Sequence, residues 1–241
     1  MPINRLNLKL NFSMLNVDST SHNPQVLSTN EHLKNNFNTL YNQMRQMPMF
    51  QFKETADAPD YSGIRQCGSF AMRQGFYLES DDKDVFIHAR RENAHCKGNF
   101  SGDKFHISVL KEQMPQAFNA LSGLLFSENS PVDRWKVTDI ELVAHQSRVG
   151  IGAQFTLYIK PDQENSQYSA FLLHKIRQFI ECLESRLAEK EIAHGQYPES
   201  DVHPENWKYL SYRNELRSER DGDKMQLQAL REEPFYRLMT E

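Results

Sequence analysis

The sequence contains only three cysteines, Cys67, Cys96 and Cys182, and no C-x-x-C pair. Any intramolecular pairing leaves one of them over, which excludes a disulfide scaffold and favours a reducing compartment. Apolar runs are also short: the longest apolar-rich stretch, Ala117 to Phe126, cannot cross a bilayer, and the N-terminus lacks the apolar core of a cleaved signal peptide. We therefore expect no membrane partner and, if the protein leaves its cell, another route of export.

A basic excess and a metal signature are missing as well. The 28 Lys and Arg residues are outnumbered by 32 Asp and Glu, so most of the surface would repel nucleic acid, and we expect no nucleic-acid partner. The nine histidines are scattered, without an H-E-x-x-H motif. We expect neither a catalytic metal nor a cofactor, and any site for an anion must be local.

Four short stretches alternate apolar and polar side chains, as half-buried strands do: residues 85–90, 104–109, 134–138 and 154–160. In each, the apolar set points to one face, with Ile87, Phe105, Trp135 and Leu157 as its core members. The other face would carry His88, Arg90, Lys104, His106, Arg134, Lys136, Tyr158 and Lys160, with no acid among them. Such a face suits a phosphate group. The alternative is a solvated face whose acids lie elsewhere in space.

The order of elements predicts an α+β fold. Residues 1–27 read as a flexible tail, and the capping box Ser28 to Glu31 predicts a helix that opens a single domain over residues 28–241. Strands, a helix over 115–126 and a long helix over 166–191 follow without βαβ alternation or a phosphate loop. We therefore expect a mainly antiparallel, twisted sheet flanked by helices, in a monomer.

Two weaker motifs leave alternatives open. Cys67 and Arg73 have the C-x5-R spacing of cysteine phosphatases, but the residues between them are not the glycine-permissive cradle that a phosphate needs. Arg148 precedes Gly150 and Gly152, which either let backbone approach an anion or simply make a turn. Hydrolysis by a Cys67 thiolate therefore remains one hypothesis.

The chemistry best suited to the cationic face is removal of a proton from carbon. Lys136 can act as a base only when neutral, and neighbouring cations with partial burial lower a lysine pKa. His106, beside a bound phosphate, would hold a proton and suit the acid. Lys104, Arg90 and Arg148 would be the cations that surround this pair. Non-catalytic binding of a phosphopeptide remains the competing interpretation.

Several long motifs resemble one family along essentially the whole chain. They are Asp84–Arg90, Gly102–Ser108, Trp135–Asp139, Gly152–Tyr158, Trp207–Arg217 and Arg231–Tyr236. Together they resemble the phosphothreonine lyase effectors that enteric and plant-pathogenic bacteria inject through type III secretion systems. The resemblance implies irreversible β-elimination of phosphate from the phosphothreonine of the pThr-x-pTyr activation loop of host mitogen-activated protein (MAP) kinases, leaving dehydrobutyrine. It also implies secretion into the host cytoplasm.

The resemblance assigns roles residue by residue. Lys136 becomes the base and His106 the acid, in agreement with the chemistry argued from the strands. The remaining assignments are Arg90, Lys104, Arg148 and Arg213 on the phosphothreonine phosphate, Tyr158 near the reacting backbone, and Lys160 and Arg220 on the phosphotyrosine side. In the tail, Arg5 with Leu8 and Leu10 resembles a kinase docking motif, basic and then alternately hydrophobic.

Overall fold

One antiparallel sheet organises the chain. The computed structural model describes residues 24–80, 84–144, 147–220 and 222–241. Its strands are β1 (Ala71–Arg73), β2 (Phe76–Ser80), β3 (Phe86–Arg91), β4 (Asp103–Ile107), β5 (Arg134–Thr138), β6 (Phe155–Tyr158) and β7 (Leu210–Asn214). The spatial order is β1-β2-β3-β5-β6-β4-β7, and each neighbouring pair is antiparallel. The predicted α+β architecture with an antiparallel sheet is confirmed.

Helices supply the rest of the core. They are α1 (Pro24–Gln46), α2 (Tyr61–Arg65), α3 (Met114–Leu125), α4 (Arg148–Ile151), α5 (Ala170–Glu189), α6 (Lys224–Arg231) and α7 (Pro234–Thr240), with a 3-10 turn at Lys111–Gln113. The long helix α5 packs against α1, α3 and α7. None of the helices in the described ranges is long and apolar enough to span a membrane.

One face of the sheet is the apolar core. Ile87, Phe105, Trp135 and Leu157 are all buried, as the alternation predicts. Phe118 of α3 packs against Trp135 with ring centroids 5.9 Å apart, which places the helix directly on this face. With one face covered, a shift of register by one residue would bury the charged set, so the opposite face is fixed as the polar one.

Two helix starts differ from the prediction. Helix α1 begins at Pro24, so the Ser28 to Glu31 motif lies inside the helix and does not open it. Thr29 is buried there, and its hydroxyl donates to the Ser166 carbonyl at 2.8 Å, a tertiary contact that sequence spacing does not report. The long helix begins at Ala170, because Ser166 has a φ of 61° and Ser169 caps the helix through Leu172 N. The division into a tail of residues 1–27 and a domain stays a prediction.

Candidate active site

The polar face of the sheet is ordered into two cross-strand rows. Pairing of β3, β5, β6, β4 and β7 aligns His88, Lys136, Thr156, His106 and Ser211 in one row, called here the Lys136 row. The same pairing aligns Arg90, Arg134, Tyr158, Lys104 and Arg213 in the second, called the Lys104 row. Directly opposite residues in an antiparallel sheet project to the same side. The strands therefore gather most of the predicted site residues on one surface.

Thr156 separates the two residues predicted to do the chemistry. It pairs with Lys136 on β5 and with His106 on β4, so those two residues are two strand spacings apart. Two spacings correspond to about 9.5 Å between Cα atoms. Thr156 is buried and has the shorter side chain, which leaves a gap above it between the ammonium and the imidazole. A single residue of a bound peptide fits between groups placed in this way.

His106 is held by a buried carboxylate. Its Nδ1 lies 2.6 Å from Oδ2 of Asp201, which has no exposed side-chain surface. Burial is the main effect that lowers the pKa of His106, while Asp201 opposes that shift and Lys104 and Arg148 add to it. Burial acts to raise the pKa of Asp201, but His106 and hydroxyl hydrogen bonds outweigh it and hold that pKa below its usual value. The ionised carboxylate therefore accepts the Nδ1 proton, and Nε2 is the nitrogen left to act on a substrate.

Lys136 lies in surroundings that favour its neutral form. Its Nζ sits 3.6 Å from the centroid of the Phe86 ring, a cation–π contact that by itself favours the charged form. Burial is the largest effect lowering the pKa of Lys136, and Lys104 also lowers it, whereas Asp84 and Glu215 raise it. The net direction is down. A neutral amine is what a general base requires, so the geometry agrees with the role predicted for Lys136.

Two arginines converge on one serine at the β7 end of the Lys104 row. The Ser200 hydroxyl accepts from Arg148 Nη2 at 3.2 Å and from Arg213 Nη1 at 3.4 Å. Arg213 is 5% exposed and is fixed further by Ser218, whose hydroxyl and carbonyl accept at 3.1 and 2.8 Å. The Arg148 side chain is 41% exposed and stays open to a ligand. We refer to Arg148 and Arg213 as the arginine pair.

A glycine allows the Arg148 segment to reach this place. A Cβ atom at position 152 would overlap the carbonyl oxygen of Gln196, so only Gly152 lets the two backbones cross. The contact is a hydrogen bond from Gln196 N to Ile151 O of 2.8 Å. Ser147 starts the short helix α4 by accepting from Gly150 N at 3.1 Å. Gly152 thus allows a close backbone approach within the fold, and Gly150 lies in the short helix α4.

The polar face contains acids, contrary to the absence suggested by its strands. Glu215, just after β7, accepts from Lys104 Nζ at 3.0 Å, and Asp84, just before β3, lies 2.7 Å from His88 Nε2. Asp201 is the third. The alternation of apolar and polar residues identifies only side chains inside strands, whereas these acids lie in the segments that flank the strands. The expectation of an uncompensated cationic face is therefore wrong, although its cations remain more numerous than its acids.

Arg90 is not with the arginine pair. In the Lys104 row it is three strand spacings from Lys104, about 14 Å between Cα atoms. It lines a separate cleft of about 500 Å³ with Arg134, Phe70 and Tyr77, among others. Its guanidinium lies 5.3 Å from the centroid of Tyr77, which stacks on Phe70 at 5.3 Å. The predicted grouping of Arg90 with Lys104, Arg148 and Arg213 around one phosphate is not what the strand order produces.

Lys160 and Arg220, both predicted for the phosphotyrosine side, have different described neighbours. Lys160 follows the end of β6, and its charge acts on the buried thiol of Cys96, whose pKa burial raises to about 12. Cys96 in turn contacts Asp133 through its backbone amide at 2.8 Å. Arg220 lines a pocket of about 200 Å³ that it shares with Arg148. Arg220 therefore lies beside Arg148 of the arginine pair, and the role of Lys160 stays a prediction.

The structure gives Cys67 no phosphate cradle. Ala71 to Arg73 form β1 and pair with β2, so the backbone amides of the C-x5-R segment do not converge on the thiol. The Cys67 Sγ donates to the Gly63 carbonyl at 3.1 Å. The docking residues Arg5, Leu8 and Leu10 lie outside the described residues. In the ranges that are described, no cluster of three or more His, Cys, Asp or Glu residues is arranged to hold a metal ion.

Sequence reasoning missed Asp201, Ser200, Ser211 and Glu215. Asp201 lies between Pro198 and Pro204 in a segment without periodicity, so no pattern marks it. An isolated bridge between Val202 and Tyr212 and side-chain hydrogen bonds from Ser211 and Arg213 draw that segment to β7. Ser211 could have been found, because it lies two residues before Arg213 on a short strand and therefore on the same face.

Comparison with known proteins gives consistent matches over the chain. A family model described as OspF/SpvC matches residues 2–241. The chain is 70% identical over 241 residues to the MAPK phosphothreonine lyase of Salmonella typhimurium and 64% identical over 242 residues to the phosphothreonine lyase OspF of Shigella flexneri, with 100% of each chain covered. The solved structure of the Salmonella plasmid virulence C protein (SpvC) superposes with a TM-score of 0.87 at 74% identity, covering 88% of this chain and 99% of that one.

Proposed function

The chain belongs to the OspF/SpvC family, and from that membership and the geometry of its polar face we propose that it is a phosphothreonine lyase that inactivates host MAP kinases. The observation that carries the proposal is the placement of Lys136 and His106 on either side of Thr156. A base and an acid separated by one strand can act on opposite ends of a Cα–Cβ–O unit. The MAPK phosphothreonine lyase of Salmonella typhimurium supplies the substrate class.

The reaction follows from this placement. Neutral Lys136 Nζ takes the α-proton of phosphothreonine, and the C–H electron pair forms the Cα=Cβ double bond. The Cβ–O bond breaks with its electrons on oxygen, and His106 Nε2 protonates that oxygen. The products are dehydrobutyrine and inorganic phosphate, without a covalent intermediate. Because phosphate has a second pKa near 6, it departs readily once the carbon gives up its proton.

The arginine pair and Lys104 are placed to hold the departing phosphate. Negative charge moves from the α-carbon to the phosphate oxygens as the reaction proceeds. Cations fixed on a sheet stabilise that shift without reorganising during the reaction. Lys104 is paired with Glu215 before substrate binds, and a dianionic phosphate is the stronger competitor for its ammonium group. Tyr158 lies between Lys104 and Arg134 in the Lys104 row. With the phosphate bound there, Tyr158 would lie near the reacting backbone of the substrate.

A doubly phosphorylated pThr-x-pTyr loop needs a second anion site, and two positions are candidates. One is Arg220 beside Arg148, as the resemblance implies. The other is the cleft of Arg90 and Arg134, whose Phe70 and Tyr77 rings suit an aromatic side chain. Two extended residues cover about 6.6 Å, and the tyrosine side chain adds further reach. The aromatic lining favours the cleft.

Recognition of the whole kinase would involve more of the chain. Arg5, Leu8 and Leu10 would bind a docking groove of the kinase, with the leucines in apolar pockets and the arginine beside acids. Secretion through a type III system into the host cytoplasm would bring enzyme and kinase together. The SpvC-like protein VirA of Chromobacterium violaceum, whose structure has a TM-score of 0.87 to this chain, is described as a phosphothreonine lyase effector protein.

Mass spectrometry of a pThr-x-pTyr peptide after incubation tests the reaction. Elimination leaves a residue one water lighter than threonine, which is the expected product. Recovery of threonine would support the Cys67 phosphatase, and unchanged phosphothreonine would support a non-catalytic binding module; either result overturns the lyase. Arg90→Ala and Arg220→Ala, each assayed on singly and doubly phosphorylated peptides, test where the phosphotyrosine binds. Only the variant at the phosphotyrosine site should abolish the preference for the doubly phosphorylated peptide.

A further inference from the structure

Asp201 is the most completely enclosed charged group next to the proposed acid. Its side chain has no exposed surface, and three side chains donate to it. His106 Nδ1 and the Ser211 hydroxyl reach Oδ2 at 2.6 and 2.8 Å, and the Ser200 hydroxyl reaches Oδ1 at 3.0 Å. An ionised carboxylate is kept in a buried place only when such donors satisfy it.

We infer that Asp201 is a positioning residue for the elimination: it fixes His106 with the proton on Nδ1, directs Nε2 at the substrate oxygen, and joins this acid to the arginine pair through Ser200. The inference rests on the proposed function. It adds a role for a residue outside the strands that carry Lys136 and His106.

The tautomer argument follows from the hydrogen bonds. A carboxylate only accepts, so the short contact requires a proton on Nδ1. In that state Nε2 can accept a proton and then deliver it. In the opposite tautomer, the unprotonated Nδ1 would face the Asp201 carboxylate and no hydrogen bond would form. The carboxylate also stabilises the imidazolium that exists just before the leaving oxygen is protonated.

Ser200 links the acid to phosphate binding. Its hydroxyl has one proton, which it donates to Asp201, and two lone pairs, which accept from Arg148 and Arg213. All three partners of one hydroxyl group are therefore used. A phosphate held by the arginine pair would then be aligned with Nε2 of His106 through a single fixed atom.

The charges around His106 decide the direction of the expected pH effect. Asp201 favours the imidazolium, while Lys104 on the same strand and Arg148 on α4 oppose it. Arg213 on β7 acts on Asp201 from the other side. Removing the Asp201 charge leaves the cations unopposed and makes the imidazolium harder to form. The falling limb of the kcat profile, where the acid loses its proton, should move to lower pH.

The test compares Asp201→Asn with Asp103→Asn on a phosphothreonine peptide. Asp103 is a matched control because it is equally buried and accepts from Tyr168 and Tyr212 at 2.9 and 2.7 Å, on the core side of β4. We expect Asp201→Asn to lower kcat about a hundredfold, the scale of a general acid that is misoriented, while KM changes less than about threefold. Asp103→Asn should lower Tm and leave the pH limb in place.

Nitrogen NMR of His106 supplies a readout that a purely structural role would not move. In the wild-type protein the proton should reside on Nδ1, and in Asp201→Asn it should redistribute towards Nε2. If Asp201→Asn does not fold, Ser211→Ala is the second variant, because it removes one donor to Asp201. A carboxylate with fewer donors attracts the imidazolium proton more, so the falling limb of kcat should move to higher pH. A wild-type pH profile and tautomer in these variants would overturn the inference. Failure of the wild-type protein to release phosphate by elimination would instead overturn the proposed function.

Discussion

The pKa of Lys136 should respond in opposite directions to two substitutions in one ion pair. Lys104 lowers that pKa and Glu215 raises it, although the two residues bind each other at 3.0 Å. Lys104 and Lys136 lie on β4 and β5, two strand spacings (about 9.5 Å) and one row (about 6.8 Å) apart, so their charges are roughly 12 Å from each other. At an effective dielectric constant near 20 this repulsion is about 1.4 kcal/mol, or about one pKa unit.

Lys104→Met removes that repulsion and should raise the pKa of Lys136 by about one unit. Glu215→Gln removes an attraction and should lower it, by about half as much, because the Glu215 side chain is 46% exposed and solvent screens its charge. Lys136 acts as a base only above its pKa, so the rising limb of kcat/KM should move to higher pH in the first variant and to lower pH in the second.

The assay is phosphate release from a phosphothreonine peptide, measured as kcat/KM across the pH range. The ionisation of the substrate phosphate near pH 6 is common to all variants and provides an internal reference. Lys97→Met is the control, because Lys97 forms an exposed pair with Glu164 outside both rows. Limbs that move in the same direction, or that do not move, would refute Lys136 as the titrating base.

Three other outcomes are expected. Lys136→Ala and His106→Ala should each lower turnover by about a hundredfold to ten-thousandfold with peptide binding retained, as measured by kcat and by direct titration, since each removes one proton-transfer group. Activity should survive strong chelators and thiol alkylation, and Cys67→Ser should be fully active; loss of phosphate release from a folded protein would contradict the elimination mechanism. Removal of residues 1–23 should spare kcat/KM on a short peptide and lower it on an intact kinase, because a docking segment raises effective concentration only for the larger substrate; equal losses would instead indicate a role in folding.

Strands β3 to β6 were predictable because strand alternation has a period of two, whereas β1, β2 and β7 were not predicted. Residues 134–138 form β5 with the bounds that the pattern gives, and Trp135 and Lys136 point to opposite faces. The chemistry at Lys136 and His106 could be argued from the residues of the predicted strand face, with phosphopeptide binding as the alternative. Their separation could not, since it depends on the order β5-β6-β4, in which a later strand is inserted between two earlier ones.

The remaining parts of the site come from segments that have no period. Asp201 and Ser200 lie in a loop whose backbone pairs with β7 at the Val202–Tyr212 bridge, and Glu215 lies just beyond the end of β7. The pattern of cations therefore predicted a site for an anion, which stays a prediction, and missed the carboxylate and hydroxyl groups that contact those cations. The same limit explains Arg90, whose distance from Lys104 is set by three strand pairings that no local sequence encodes.

The acids of the polar face explain how so many cations can be assembled without a ligand. Buried or partly buried cations on one surface repel each other, and this repulsion would oppose folding unless nearby carboxylates reduce it. The Asp201 carboxylate offsets the positive charge of Arg148 and contacts His106, and the Glu215 carboxylate offsets the positive charge of Lys104. Neither carboxylate belongs to the strand positions between Lys136 and His106, where Thr156 forms the floor. Charge compensation thus comes from segments that flank the strands, so that in the proposed reaction a phosphothreonine entering above Thr156 meets cations that are already in place.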